Sequence, residues 1–578
     1  MKLLRLKIGE TFRSLQAGFE VAFLQQWDRD QTMQSPDLEF APYILAGPNG
    51  SGKSNVLEAL AAIFYHMECM YLENLPDSFV YEEEQNPNGF QSDQGIPDVF
   101  EVEYLIRATG VFKLTNDNQH AHVKIVKSKA KSPQWFLLND KEQDPEKPLS
   151  IDRNIARQLL PSYVLGYSSG ENEVLSLPFF KMRFINFDEY KDRLFNQYDY
   201  DGKPEGRLVY LDASFSQAIV ICNLLLQEKA VLAPFIEELG VEDIKSFRII
   251  IRKAAGVDHQ GEFVENTNQF IVEDPDEKSL IITDYLDKNI SALKKCATCS
   301  FQTEEGMLYL DYLVNDETRK AFTLHFGTAI DLFQVFQILI TLNLFTVSSE
   351  LKKELYTSAS LYVSETVPVL ASDQRIMRFK DVDLQKVGIV EQVSLKSLSD
   401  GEHQFLHALG LCLLCRDDNA LFLLDEPETH FNPAWRAKFI TRLRECFVND
   451  NVEKKCPEML ITTHTPFLIS DSKPENVLVF KKENETVSVK RPDFNTLGAS
   501  INKITLNTFN KRETIGGYAE QHMKAFKQRF EADKEQTTAD QKQALIDEIN
   551  QKLGDSVEKV LLIKTILDSM EPEQGGEN

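Results

Sequence analysis

The chain has 578 residues and a formal net charge of −26, with 42% hydrophobic and 26% charged residues. That length allows several lobes, and the composition is ordinary for a globular protein. The charge argues against non-specific coating of nucleic acid, which needs a basic surface, and no apolar run reaches the roughly 18 residues of a membrane span. Any nucleic-acid contact therefore needs a local patch. Two clusters exist, Lys124, Lys127, Lys129 and Lys131, and Arg436, Lys438, Arg442 and Arg444. A solvated face is the simpler reading of both. The first residues, Met1 to Lys7, alternate like a strand and lack the apolar core of a signal peptide, so a cytoplasmic protein is expected.

Strands are expected at Leu3–Ile8 and Phe19–Phe23, followed by a polar loop, Gln25–Asp37. The short apolar run Tyr43–Ala46 reads as a buried strand. It leads into Gly47-Pro48-Asn49-Gly50-Ser51-Gly52-Lys53-Ser54, which fits G-x-x-x-x-G-K-[ST]. A helix follows over Asn55–Tyr65, with Val56, Leu57, Leu60 and Phe64 at helical spacing. Strand, Gly-rich loop and helix are the context this motif needs. Glycines let backbone N–H groups close around phosphate oxygens at a helix N-terminus. Gly47, Asn49, Gly50, Gly52, Lys53, Ser54 and Asn55 are thus candidate nucleotide-binding residues. Lys53 is expected at the β- and γ-phosphates, and Ser54 at Mg²⁺.

Residues 70–98 form a polar, acidic insert containing Glu82-Glu83-Glu84, expected as a long loop. An antiparallel meander is expected at Phe100–Ile106, Val111–Leu114 and Val123–Val126. A connector and helix fill Asp144–Leu160. Tyr163–Tyr167 reads as another buried strand, ending in Ser168-Ser169-Gly170. From 175 to 385 the pattern is mixed: apolar helices at Ala218–Leu226 and Ile330–Leu344, strands at Phe263–Val272 and Met307–Tyr312, and no sustained heptads. This region reads as an inserted, mainly helical lid. Two C-x-x-C pairs, Cys296/Cys299 and Cys412/Cys415, have zinc-site spacing. The second lies in an apolar run, where buried free cysteine is common.

Three further elements follow. Leu398-Ser399-Asp400-Gly401-Glu402 precedes an apolar helix, Phe405–Leu414. Ser399 and Gly401 there could donate to a γ-phosphate, but the same residues also fit a capping box, with Ser399 at the N-cap and Glu402 three residues on. Next, the apolar run Ala420–Leu424 ends in Asp425-Glu426-Pro427-Glu428, the Walker B pattern. Asp425 would hold Mg²⁺ and Glu426 would position or deprotonate the attacking water. Finally, Met459–Thr463 reads as a buried strand ending at His464, a candidate γ-phosphate contact. The segment 513–578 reads as two or three amphipathic helices with an acidic tail, Glu571–Asn578.

The order P-loop, Leu-Ser-x-Gly-Glu, apolar run with Asp-Glu, then strand with His resembles the ABC-type ATPase heads of the SMC and RecF group. The resemblance covers about residues 1–170 and 386–490. It implies an α/β fold: a mixed sheet with an antiparallel meander, an inserted helical lid and a helical C-terminus. It implies lobes at 1–174 and 386–510, the lid at 175–385, and C-terminal helices at 511–578. It also implies ATP and Mg²⁺ as cofactors, and a homodimer of heads with Ser399 and Gly401 acting on the partner's nucleotide. Two features depart from the pattern. Asp400 stands where glycine is usual, and Ser168 or Ser169 stands where a glutamine is usual.

Glu428-Thr429-His430-Phe431-Asn432-Pro433 is similar to the stretch after Walker B in OLD-type and RecF-like ATPases. The roughly hundred residues after His464 are few for the Toprim nuclease that OLD proteins carry. The whole is similar to Septu-type defence ATPases (PtuA), including the forms found with retrons. That resemblance implies a separate HNH nuclease partner, with retron RNA–DNA or phage DNA as further candidates. An alternative is an SMC/RecF-like repair ATPase that clamps DNA directly, which predicts a basic track and a salt-dependent affinity. A nucleotide-binding scaffold with little turnover is a third reading. Asp400 favours it, and Asp425 and Glu426 oppose it.

Overall fold

The computed structural model describes residues 1–24, 40–72, 80, 89, 94–108, 112, 114, 120–142, 144–169, 173–195, 206–252, 271–272, 280–281, 284–303, 307–347, 349–360, 363–365, 367, 370–372, 375–417, 419–447, 455–509, 516–532 and 538–570. The expected polar loop Gln25–Asp37, most of the 70–98 insert, Val111, Gly170, most of the strand expected at Phe263–Val272, and the tail Glu571–Asn578 lie outside those residues.

Strands β1 (Lys2–Ile8), β2 (Phe19–Ala22) and β3 (Tyr43–Ala46) open the chain, and the helix Lys53–Cys69 follows. Next come β4 (Phe100–Arg107), β5 (His120–Lys127), β6 (Gln134–Leu137), β7 (Val164–Ser168) and β8 (Leu208–Tyr210). β9 (Val241–Arg252), the short hairpin β10 (Ile271–Val272) and β11 (Leu280–Ile281), β12 (Cys299–Gln302) and β13 (Met307–Leu313) lie in the middle region. β14 (Met377–Lys386), β15 (Val393–Ser394), β16 (Leu421–Asp425), β17 (Glu458–Thr463), β18 (Val477–Glu483) and β19 (Thr486–Lys490) complete the set.

One sheet is antiparallel throughout, in the order β2-β1-β4-β5-β6. The strands expected at Phe100–Ile106 and Val123–Val126 are β4 and β5, but the third strand of the meander is not at Val111–Leu114. Leu114 makes only an isolated bridge to Asp140, and Gln134–Leu137 takes the place beside β5. Trp135 and Leu137 alternate inward there and are both buried, which supplies the apolar face the strand needs.

The central sheet runs β19-β18-β3-β17-β16-β7-β8. All its neighbours pair in parallel except β18 with β19. β3 and β16 are buried along their whole length, as strands covered on both faces must be. The helix Lys53–Cys69 is buried nearly all round, with Val56, Leu60 and Phe64 among its core residues. Register fixes the functional edge. Asp425 lies opposite both Thr462 and Ser168, and Thr463 lies opposite Ala46. The carboxyl ends of β3, β17, β16 and β7 therefore align, where open parallel sheets bind their ligands.

The middle region is mixed, as expected, but it is built on a second antiparallel sheet, β12-β13-β9-β14-β15. Helices Leu177–Phe195, Ala213–Leu226 and Ala329–Thr341 are its main helices. Cys412 and Cys415 are buried, Cys299 is exposed, and no His/Cys/Asp/Glu cluster suited to a metal occurs among the described residues. No single helix among the described residues is long and apolar enough to cross a membrane.

The chain divides into two compact units, Met1–Gly498 and Ala499–Asn578. The second unit holds the helices Ile501–Phe509, Gly517–Ala532, Ala539–Lys552 and Val557–Asp568. Phe526, Phe530, Ile546, Ile549, Leu562 and Ile566 form its small core. Thr538 closes a capping box at Ala539–Lys552.

Candidate nucleotide site

The loop between β3 and the helix Lys53–Cys69 is shaped by its glycines. Gly52 sits at the helix N-cap with φ 94, a left-handed conformation that side chains resist. Gly47 has φ 155, and a Cβ there would lie 2.5 Å from the Phe480 carbonyl of β18. Asn49 and Gly50 form the exposed tip of the loop. Lys53 is buried and its Nζ donates to the carbonyls of Gly47 at 2.9 Å and Pro48 at 3.1 Å. Burial lowers its pKa, while the nearby charges of Glu426, Asp425 and Glu428 oppose that shift. Asn55 turns its side chain away from the loop. It accepts from Ser14 Oγ at 2.5 Å and donates to Glu58 at 3.1 Å. Its contribution to phosphate binding is then limited to its backbone N–H.

Asp425, at the end of β16, is fully buried. Ser54 Oγ donates to its Oδ1 at 2.8 Å, Thr462 Oγ1 to the same oxygen at 2.5 Å, and Ser168 Oγ to Oδ2 at 3.4 Å. Burial pushes the carboxyl upward, and the Thr462 and Ser54 hydroxyls pull it back. Of the two serines at the end of β7, Ser168 is the one that faces Asp425. Ser169 Oγ instead accepts from Gln404 at 2.8 Å.

Glu426 adopts φ 49, a left-handed backbone that a non-glycine residue rarely takes. Its N–H is held by Thr462 Oγ1 at 3.0 Å. This turn follows directly on β16 and brings the carboxylate to His464, whose Nδ1 is 3.1 Å from Glu426 Oε2. The hydrogen bond from His464 is the main cause that lowers the Glu426 pKa, and the same bond raises His464.

Glu428 is a further member that sequence reasoning missed. It is wholly buried, accepts from Thr463 Oγ1, and has Thr465 Oγ1 at 3.4 Å. Burial pushes its pKa up to about 7. In sequence it is the second acid of Asp-Glu-Pro-Glu, and nothing local marks it as buried. Thr462 and Thr463, also missed, carry one signal: two hydroxyls immediately before the strand-end His464.

The structure brings Lys53, Ser54, Asp425, Glu426 and His464 together within chain 1–498. Ser399 and Gly401 sit apart from this cluster in their contacts. Ser399 caps the helix Asp400–Leu414, and Glu402 completes the capping box, so the simpler of the two expected geometries is present. Lys386 pairs with Glu402 at 2.5 Å. A Cβ on Gly401 would lie 2.8 Å from the His430 carbonyl. On the same helix, Gln404 accepts from the His430 N–H at 3.0 Å. One residue thus ties the helix start to both the β7 end and the turn after β16.

The donor set fits magnesium and a nucleotide. A serine hydroxyl and a carboxylate 2.8 Å apart are hard oxygen ligands. A buried lysine satisfied only by loop carbonyls has donors that phosphate oxygens can take over. These features define a candidate P-loop nucleotide site on a mixed α/β fold.

Residues 371–470 match the family described as "AAA domain, putative AbiEii toxin, Type IV TA system". That stretch carries the Ser399 helix, Asp425, Glu426 and His464. The chain is 26% identical over 117 residues to protein ea59 of Escherichia phage lambda. The match spans 19% of this chain and only 21% of that relative's length. Among solved structures, the SMC head domain from Thermotoga maritima aligns over 86% of this chain and all of that one, at 11% identity and a TM-score of 0.30. The recombination mediator RecF aligns over 84% of this chain and 97% of that one, at 12% identity and a TM-score of 0.27.

Proposed function

We propose that this chain is an ATP-hydrolysing regulatory subunit of a bacterial anti-phage defence complex. In this reading, nucleotide-driven closure of two heads gates a separate HNH-type nuclease. The observation that carries the ATPase part is the 2.8 Å contact of Ser54 with Asp425, with Glu426 beside it and paired to His464. Phosphate cradle, metal ligands and candidate base share one sheet edge.

Lys53 and the loop N–H groups bind the phosphates. Ser54 and Asp425 hold Mg²⁺, which when bound neutralises charge on the transferring phosphoryl group. Glu426 orients a water and accepts its proton. His464 holds Glu426 in place and reaches toward the γ-phosphate. Ser399 and Gly401 act on the nucleotide of the partner head. The defence setting is supported by the toxin–antitoxin description of the matched family. The net charge of −26 fits a regulatory subunit better than a DNA clamp.

The test is a tagged pull-down from the native host, with and without ATP, read by mass spectrometry and nucleic-acid extraction. A co-purifying HNH nuclease, with or without an RNA–DNA hybrid, supports the gated-effector reading. A bare protein that binds DNA only with ATP overturns it in favour of a direct clamp.

A further inference from the structure

A large cavity lies away from the P-loop, between the helix Leu177–Phe195, the end of the helix Ala329–Thr341 and the first residues of β14. It encloses about 760 Å³, within the range of small-molecule sites, which is roughly 300–1,000 Å³. Its charge is opposite to that of the chain. Arg183, Arg375, Arg378, Lys380 and Lys396 line it, against two carboxylates, Glu173 and Asp212. On a protein of net charge −26, such a concave basic lining focuses a local positive potential.

The cations differ in how they are held. Arg183 is fixed: it donates to Asp212 at 2.7 Å and to the Tyr210 carbonyl at 3.2 Å, between the rings of Phe180 and Phe215. The other four have no ion-pair partner among the described residues. Arg375 Nε donates to the Leu370 carbonyl at 3.2 Å, and Arg378 donates to the Ser372 carbonyl at 2.6 Å. Arg378 Nε is buried with no acceptor among the described residues. Lys380 and Lys396 are exposed. Four cations facing Glu173, with Asp212 already paired to Arg183, leave the lining net positive, which favours an added anion. Backbone does not compete for this role at Met377, where Asn343 already binds both the N–H and the C=O, at 2.9 and 3.0 Å. The remaining wall is apolar and partly aromatic, with Phe180, Ile340 and Leu344.

We propose that this cavity is a second ligand site that binds a nucleoside 5′-phosphate, its phosphate on the unpaired cations and its base against the Phe180 wall. The site is wired to the ATPase centre. Arg183 grips the Tyr210 carbonyl at the end of β8, β8 pairs with β7, and Ser168 at the end of β7 donates to Asp425. An occupant that moves Arg183 therefore acts on the strand beside the one whose end, Ser168, contacts Asp425.

The experiment is equilibrium dialysis of the full chain carrying Lys53→Ala, which disables the P-loop. The probes are 5′-AMP, the 5′-phosphorylated dinucleotide pApA, and adenosine. Saturable binding of AMP or pApA near one per chain is expected, with none for adenosine. The double variant Lys380→Ala/Lys396→Ala weakens it by about tenfold, and the arginine pair Lys380→Arg/Lys396→Arg restores it. AMP and pApA binding alike identifies a free mononucleotide ligand. Binding of pApA about tenfold tighter identifies the end of a strand. Absence of saturable binding of both phosphates, or binding that the alanine pair leaves unchanged, overturns the proposal. Neither readout needs hydrolysis or a nuclease partner, so this result stands or falls apart from the gated-effector reading.

Discussion

His464 Nδ1 lies 3.1 Å from Glu426 Oε2, and each group holds the other in its charged form. The bond from His464 draws the Glu426 carboxyl below its ordinary 4.5, and the bond to Glu426 lifts His464 above 6.5. The pair is partly exposed, so its worth to stability is at most ~1 kcal/mol. That contribution is present above the ordinary glutamate pKa and is lost as His464 deprotonates above 6.5. Its consequence for chemistry is larger, because a carboxylate paired with an imidazolium is a weaker base.

ATP turnover at saturating nucleotide should therefore rise with pH through an inflection above 6.5, as His464 loses its charge and releases Glu426. His464→Asn keeps a polar side chain without the titration, and its profile should lack that inflection. The measurement is steady-state phosphate release from about pH 6 to 9 on both proteins. The same inflection in the variant would remove His464 from any role in setting Glu426.

Glu426→Gln keeps the shape of the side chain and a polar group for His464, but it cannot accept a proton. Turnover should fall by about 10²–10⁴-fold, the usual share of a general base. ATP affinity, read by equilibrium binding, should stay within about twofold, because the proposed function gives the binding to Lys53, Ser54 and Asp425. Equal turnover in the two proteins would show that the base lies elsewhere.

Ser399 already has a structural task, as the N-cap of Asp400–Leu414 within a capping box. Ser399→Ala should cost about 1 kcal/mol of stability from the lost cap alone. Ser399→Asp keeps a capping oxygen but sets a second carboxylate against Glu402, to which the Ser399 hydroxyl donates at 2.9 Å, so it should recover only part of that stability. If Ser399 also donates to the partner head's nucleotide, the aspartate variant will still fail to dimerise with ATP, since it brings a negative charge to a polyanion. Thermal melting and light scattering with ATP separate the two roles. ATP-dependent dimers of Ser399→Asp would leave Ser399 as a cap only.

Much of the nucleotide site is legible in the sequence because its strands are buried on both faces. Tyr43–Ala46, Leu421–Leu424 and Met459–Ile461 are continuous apolar runs, and each leads directly into residues whose polar groups gather at the sheet edge. β9 is not legible. Its buried residues begin Val241, Ile244, Phe247 and then Ile249 to Ile251, a spacing closer to three than to two. Irregular register against β14 shifts the phase of the alternation. The Ser54–Asp425 and Gln404–Ser169 contacts join residues hundreds of positions apart, so no local pattern announces them. Motif spacing predicts Asp425 near Ser54, but nothing comparable predicts Gln404.

Glu428 carries the last prediction, and burial decides it. Its carboxyl is wholly enclosed behind Thr463 and Thr465, its Oε2 has no hydrogen-bond partner among the described residues, and its pKa is pushed from 4.5 up to about 7. A carboxyl whose folded pKa is raised binds a proton more tightly in the native state than in the unfolded chain. Its effect on stability is thus neutral below 4.5, grows unfavourable as pH climbs toward 7, and reaches its full cost above that. A shift of this size corresponds to a cost on the order of 3 kcal/mol at alkaline pH. Glu428→Gln removes the ionisation and keeps an acceptor for Thr463. The variant should match the unaltered chain near pH 5, and should exceed it in stability at about pH 8 by roughly 1–3 kcal/mol. Urea unfolding at the two pH values reads this directly. A variant less stable than the parent at pH 8 would mean that the charged carboxylate is a required partner of Lys53, whose pKa it raises.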